Sequence, residues 1–341
     1  MMGVEIIRPG LLTTVQDEGR MGFRRYGVSV GGVMDSFAAR AANILVGNSR
    51  REAVIEITMA GPELRFQKDQ LISLCGADLS AAVDRQRVPL WRPVLLRAGS
   101  ILKFGVCRHG MRAYMALAGG IDVPEVMGSR STDLKTGIGG MHGRALRTSD
   151  VLTAGMISDE VQQWIRVMAM HAGENESMAA PSWRLSERNG PGYDGRPVIR
   201  VMPGQDSSYF EADSLKQFYA GDYVVLPQSD RMGYRVQGAK LELAQPLQRL
   251  SEAVSYGTVQ VPTDGQPIVL MADHQTIGGY PVIAQTAAVD LPILAQAKPG
   301  TRFSFAPITK EEARNLYVKR EKELQLMDQM IRRKMAAWEA V

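Results

Sequence analysis

Short apolar runs separated by turn residues dominate the chain, and few stretches carry the three-to-four-residue spacing of a helix. Val4–Arg8 alternates, and Leu11–Gln16 follows Pro9-Gly10. Between Ala53 and Ala118 the runs Val54–Thr58, Leu64–Phe66, Leu71–Leu74, Val94–Leu96, Ile101–Phe104 and Arg112–Leu117 recur at short intervals. Such spacing, with turn residues between, predicts a sandwich or barrel. Strand patterns restart at Pro197–Met202 and continue through Tyr223–Leu226, Gly257–Val261, Ile268–Met271 and Arg302–Ala306. Helical spacing is confined to three places. Asp35 is positioned to cap a helix that carries Phe37, Ala41 and Leu45 on one face and stops at Gly47-Asn48. Ser214–Phe218 reads as a short helix. Thr309-Lys-Glu-Glu312 has capping-box spacing and opens a helix predicted to reach the chain end, where Leu324, Met327, Ile331, Met335 and Trp338 form one apolar stripe. That stripe must be covered, by its own lobe or by a partner subunit.

The 341 residues suffice for two domains on a prior of roughly 150 residues each. Ala169–Arg196, with Gly173-Glu-Asn-Glu-Ser177 and Asn189-Gly-Pro-Gly192, is the one linker-like stretch. The predicted organisation is an N-terminal β-rich lobe (1–190), a C-terminal β-barrel lobe (191–308) and a C-terminal helix (309–341). Apolar content of 45% and charged content of 22% are those of an ordinary globular protein. The net charge of +4 comes from scattered basic residues with no interleaved aromatics, which argues against nucleic-acid binding. Cys75 and Cys107 lack CxxC spacing and read as thiols in apolar segments. The acid-bearing start has no apolar signal core, and no run reaches the ~18 apolar residues of a membrane span, so a cytoplasmic protein is expected.

Candidate chemistry concentrates in Ile268–Gln285. There an apolar run breaks into Asp273, His274, Gln275 and Thr276, followed by Gly278-Gly279-Tyr280-Pro281. Hydrogen-bonding side chains held between two strands have the composition of a site, although a solvated hairpin tip is the alternative. A second candidate is the glycine- and hydroxyl-rich stretch Gly128-Ser129-Arg130-Ser131-Thr132 with Gly137–Arg144. Successive backbone N–H groups there can form an anion nest, unless the glycines only shape a loop. Arg231-Met-Gly233-Tyr234-Arg235 is a compact cationic and aromatic segment. No Walker loop, dinucleotide fingerprint, nucleophile elbow or HExxH motif is present, and the four histidines are isolated in sequence, so no metal site is expected. Arg333-Lys334-Met335-Ala336 is not the Ala-Met-Lys-Met tetrapeptide of biotin carriers, so no covalent biotin is expected on this chain.

Several segments in order resemble one family. They are Gly10–Arg20, Gly27-Val-Ser29-Val-Gly31-Gly32-Val-Met34-Asp35, Ala42–Asn48, Glu56–Pro62, Gly128–Thr132, Arg231–Tyr234, Gly257–Pro262, Gly265–Asp273 and Gln275–Pro281. The family is that of the 5-oxoprolinase C subunit, or KipA, related to the carboxyltransferase domain of urea carboxylase (taken as subdomain C and D) and also labelled allophanate hydrolase subunit 2. The resemblance runs to about Ala306 and omits the terminal helix; His274 and Ile277 stand where many relatives carry Arg and Thr. It implies a mainly β fold of cyclophilin-like β-barrel lobes in tandem, with few helices. It also implies the KipI-like B subunit of 5-oxoprolinase and its A subunit as partners, and ATP, with magnesium, spent on hydrolysing 5-oxoproline to glutamate. On that resemblance Asp273, Gln275 and Thr276 are candidate catalytic residues, and Arg231, Tyr234, Gln260 and Tyr280 candidate substrate contacts. Gly128, Ser129, Arg130, Ser131 and Thr132 are the candidates for nucleotide phosphates. Asp17, Asp35 and Glu56 are either site residues or caps and buried braces. Replacing Arg231 with Ala is expected to abolish turnover in the complex, and the chain alone is expected to be inactive. Two other roles fit the same resemblance: an antagonist of a KipI-like inhibitor of a sensor histidine kinase, and half of the carboxyltransferase of a biotin-dependent urea or amide carboxylase.

Overall fold

Strands buried along their whole length differ from strands that alternate, and this difference sorts the chain into layers. The computed structural model of the protein describes residues 3–173, 176–186, 191–193, 195–247 and 250–338. Residues 174–175, 187–190 and 194 of the linker-like stretch lie outside them, as does the Trp338 side chain. Among the described residues the chain divides into two units, Met1–Gly19 with Asp35–Gly190 and Lys322–Val341, and Arg20–Met34 with Pro191–Glu321.

The first unit holds two six-stranded sheets. One runs Met178–Ala179, Pro93–Leu96, Gln70–Asp78, His109–Leu117, Val54–Thr58, Leu12–Gln16 in spatial order. Its inner strands are buried on both faces, because the alanine-rich helix Ser36–Leu45 packs on Gln70–Asp78 and His109–Leu117. Small side chains allow that close approach, and Ser73 Oγ donates to the Ala42 carbonyl at 2.6 Å. Asp35 caps the helix as predicted, accepting from the Ala38 N–H at 2.9 Å. Gly47 ends it with φ +73°, and a Cβ there would lie 2.4 Å from Val161. Val161 belongs to helix Asp159–His171, which the sequence reading did not identify and which overlaps the start of the linker-like stretch. Glu56, in the middle of an otherwise apolar strand, accepts from Tyr114 Oη at 2.9 Å, and Tyr114 Oη accepts the Asp35 N–H at 2.7 Å. Burial, then the Glu56 carboxylate, push the Tyr114 phenol up, so it remains a donor. Asp35 and Glu56 are therefore a cap and a brace.

The second unit is a closed seven-stranded barrel, in the order Val198–Pro203, Val282–Thr286, Thr258–Gln260, Ile268–Leu270, Gly233–Gln237, Asp222–Val225, Arg302–Pro307. All pairs are antiparallel except the closing one, where Val198 pairs with Ser304 in parallel. Ile199, Val201, Tyr234, Val236, Val259, Val269 and Ile283 point inward. Phe218 of helix Ala212–Ala220 stacks on Phe305 with 4.6 Å between centroids. The mainly β architecture with a barrel, few helices and a C-terminal helix agrees with the sequence reading. Two segments are placed by tertiary contacts rather than by chain order. Arg20–Met34 belongs to the barrel unit, burying Met34 in its core, and the apolar stripe of the terminal helix Lys310–Trp338 groups with the first unit. Leu324, Met327, Ile331 and Met335 are buried, and Arg332 pairs with Glu160 of helix Asp159–His171. The capping box forms: Glu312 N–H donates to Thr309 Oγ1 at 3.2 Å and Thr309 N–H to Glu312 Oε2 at 2.9 Å.

Candidate functional site

Strands Ile268–Leu270 and Val282–Thr286 are not neighbours in the barrel; Thr258–Gln260 lies between them. The polar stretch joining them is therefore a crossing loop rather than a tight hairpin tip. It carries the two-residue strand Ile277–Gly278, which pairs with Glu252–Ala253. Because the loop crosses the intervening strand, it covers Gln260, whose Nε2 donates to the Tyr280 carbonyl at 3.2 Å. A Cβ on Gly278 would meet that nitrogen at 2.6 Å, so a larger residue there would require the Gln260 carboxamide to shift.

Arg231 and Asp273 face each other across the start of this loop. Arg231 Nε and Nη2 donate to the two Asp273 oxygens at 2.7 and 2.8 Å, and Nη2 also donates to the Gly32 carbonyl at 2.6 Å. Their side chains are only 6% and 12% exposed. Bidentate pairing of a planar guanidinium with a carboxylate is strong and directional, and here it consumes that edge of the fork internally. The same loop is tied to segment Arg20–Met34 by Ser29 Oγ, which donates to the His274 carbonyl at 3.0 Å, while Tyr256 Oη donates to the Met34 carbonyl at 2.8 Å. Arg231 and Asp273 thus hold the loop and the Gly31-Gly32 turn together.

A cleft of about 270 Å³ opens on the outer face of the barrel, lined by Gln228, Asp230, Met232, Gly233, Arg235, Gln260, Ile268, Leu270, Gln275 and Tyr280. The floor follows from register: Arg235 pairs with Ile268, and Ile268 with Gln260, so these three form a row across adjacent strands. Side chains alternate along a strand, so Tyr234, one residue away, points into the core and is fully buried. Of the residues proposed from the sequence, the cleft brings together Gln260, Gln275 and Tyr280. Arg231, Tyr234, Asp273 and Thr276 are not among its lining groups, and Thr276 contributes its carbonyl to the Val254 N–H. Sequence reasoning missed Gln228, Asp230 and Arg235; the period-two alternation that buries Tyr234 is the signal that points to Arg235. Asp230 Oδ1 accepts the N–H groups of Met232 and Gly233 at 2.7 and 3.2 Å, which shapes the turn at the cleft edge.

His274 is buried, with Nδ1 2.6 Å from the Gln275 carbonyl. Burial holds its pKa below the ordinary value of 6.5, so the folded unit keeps the ring neutral. The unfolded chain then takes up a proton first as pH falls. The stability contributed is complete above about pH 6.5 and is lost as pH drops from there through the folded-state value, by at most about 1.4 kcal/mol per pH unit. The melting temperature is expected to fall between about pH 7.5 and 5.5, and His274→Gln to flatten that profile; parallel profiles would reject this origin.

In the first unit, Gly128–Thr132 wraps around an internal carboxylate. Asp17 Oδ1 accepts from Ser129 Oγ and Ser131 Oγ, each at 2.6 Å, and from the Gly19 N–H at 2.8 Å; Oδ2 accepts the Arg130 N–H at 2.5 Å. The Arg130 guanidinium pairs with Glu125 at 2.8 Å and donates to the Val123 carbonyl. The stretch is an anion nest, and the anion is Asp17. Among the described residues no group of three or more His, Cys, Asp or Glu could hold a metal ion, and no helix is long and apolar enough to cross a membrane.

A family model for the carboxyltransferase domain, subdomain A and B, matches residues 26–307, which replaces the subdomain C and D placement expected from the sequence. The chain is similar to the 5-oxoprolinase C subunit of Haemophilus influenzae, 38% identical over 93% of this chain and 95% of that protein. It is 40% identical to the corresponding 5-oxoprolinase C subunit of Escherichia coli over 91% of this chain and 93% of that one. Among solved structures, Kluyveromyces lactis urea carboxylase superimposes with a TM-score of 0.85 at 29% identity, covering 95% of this chain and 29% of the larger one.

Proposed function

Because this chain belongs to the family of 5-oxoprolinase C subunits, we propose that it serves as the C subunit of an ATP-dependent 5-oxoprolinase, with the A and B subunits as its partners. The supporting observation within the barrel unit is the outer cleft, whose size suits a single small ring and whose lining carries three carboxamides, Gln228, Gln260 and Gln275, and the phenol of Tyr280. The Gln275 carboxamide lines it without a hydrogen-bond partner among the described residues. A five-membered lactam is a cis amide, so its N–H and C=O lie on one edge. A carboxamide offers the matching acceptor and donor, as Gln275 does here, with Tyr280 at the rim. Held so, the lactam is oriented for addition of water at its carbonyl; the ring C–N bond breaks and the products are the amine and second carboxylate of glutamate. Asp273 and Arg231 contribute by fixing the loop that carries Gln275, and Thr276 through its backbone. The nest at Gly128–Thr132 does not fit nucleotide phosphates, because Asp17 occupies its donors, so ATP and its magnesium are assigned to the partner proteins.

Turnover of 5-oxo-L-proline with ATP is expected only when all three subunits are combined, and none from this chain alone. A complex that turns over equally well without this chain would overturn the proposal. The superposition on urea carboxylase favours a second reading, half of a carboxyltransferase. That reading requires biotin, so loss of activity on adding avidin would favour it over the first.

A further inference from the structure

We propose that Arg235 is the anchor for the substrate carboxylate and sets the preference for an acidic lactam; this rests on reading the outer cleft as the lactam pocket. Arg235 lies on the outward face of strand Gly233–Gln237, between the inward residues Tyr234 and Val236. It lines the cleft, and among the described residues its guanidinium has no hydrogen-bond or ion-pair partner. The other charged lining group, Asp230, does not pair with it, and Asp230 Oδ1 is committed to two backbone N–H groups. The cleft therefore offers one unpaired planar cation in a site whose remaining lining is neutral apart from one turn-forming carboxylate.

Placement fits a bifunctional ligand. Arg235, Ile268 and Gln260 occupy one row on three adjacent strands, so the cation and the Gln260 end are two strand spacings apart, roughly 10 Å between backbones. Gln275 and Tyr280 both line the cleft from the crossing loop, and Tyr280 is tied to the Gln260 end, where its carbonyl accepts from Gln260 Nε2. A small lactam bearing a carboxylate fills that gap with its amide edge toward Gln275 and its carboxylate toward Arg235, while Ile268 and Leu270 contact the ring methylenes. Guanidinium–carboxylate pairing is bidentate, so the anchor also fixes the ring orientation. Arg231, whose fork is turned to Asp273, is not available in that way.

The test uses the reconstituted three-protein complex with 5-oxo-L-proline as substrate and uncharged 2-pyrrolidinone as competing inhibitor. Arg235→Gln is expected to raise KM for 5-oxo-L-proline by about 30-fold, the size of a lost charge-assisted pair, with kcat within about twofold. Inhibition by 2-pyrrolidinone, which has no carboxylate, is expected to be unchanged, and Arg235→Lys to recover part of the loss. An unchanged KM, or equal weakening of 2-pyrrolidinone, would overturn the anchor. Gln275→Leu separates the two levels. If it weakens both ligands while Arg235→Gln changes neither, the cleft stands and the anchor fails. If neither variant affects either ligand, the cleft reading fails as well.

Discussion

Replacing Asp273 with Ala should destabilise the barrel unit by about 3–5 kcal/mol, the cost of breaking a buried, hydrogen-bonded ion pair from one side. The carboxylate accepts two charge-assisted hydrogen bonds from Arg231, which is nearly excluded from water and would lose this bidentate pairing. Chemical denaturation of the variant should show a lower midpoint in the transition of that unit. Arg231→Ala should behave alike, and its loss of turnover would then follow from a displaced loop rather than a lost substrate contact. The double variant Arg231→Met with Asp273→Leu should recover much of the stability, since neither charge remains buried. Additive losses in the double variant would show that the pair is not the origin of the effect.

The second large effect is expected at Asp17. Its carboxylate gathers two hydroxyls and two backbone N–H groups from two stretches of the first unit, and Ser129 and Ser131 are almost wholly buried. Asp17→Ala removes all four acceptor contacts. With about 1–3 kcal/mol for each buried donor left unpaired, and some of them reached by water, a net loss of about 3–4 kcal/mol is expected. Asp17→Asn should cost less, because one oxygen remains and serine hydroxyls can rotate. Formate, which fits the vacated nest, should raise the melting temperature of Asp17→Ala while leaving the unsubstituted protein unchanged. No response to formate in the alanine variant would contradict an anion nest filled by Asp17.

Much of the fold was legible because its signals are local. Apolar runs and turn residues located most barrel strands to within a residue or two, and the caps at Asp35 and Thr309 formed as the spacing required. Helix Asp159–His171 was missed even though Ser158 caps it, since half of its surface is polar and it leads into a linker-like stretch. The site was less legible. Gln260, Gln275 and Tyr280 share a cleft, whereas Arg231 and Tyr234 are not among its lining residues.

By itself the sequence determined the family, the mainly β architecture and several of the stretches that line the cleft, because each depends on patterns a few residues long. Tertiary structure alone decided which charges are spent internally. Asp17 finds Ser129 across 112 residues and Arg231 finds the Gly32 carbonyl across 199, pairings that no local pattern specifies. It also decided which side of a strand each residue faces. Closing the barrel buries one face of strand Gly233–Gln237, so a shift of one position separates a core tyrosine at Tyr234 from a cation in the cleft at Arg235.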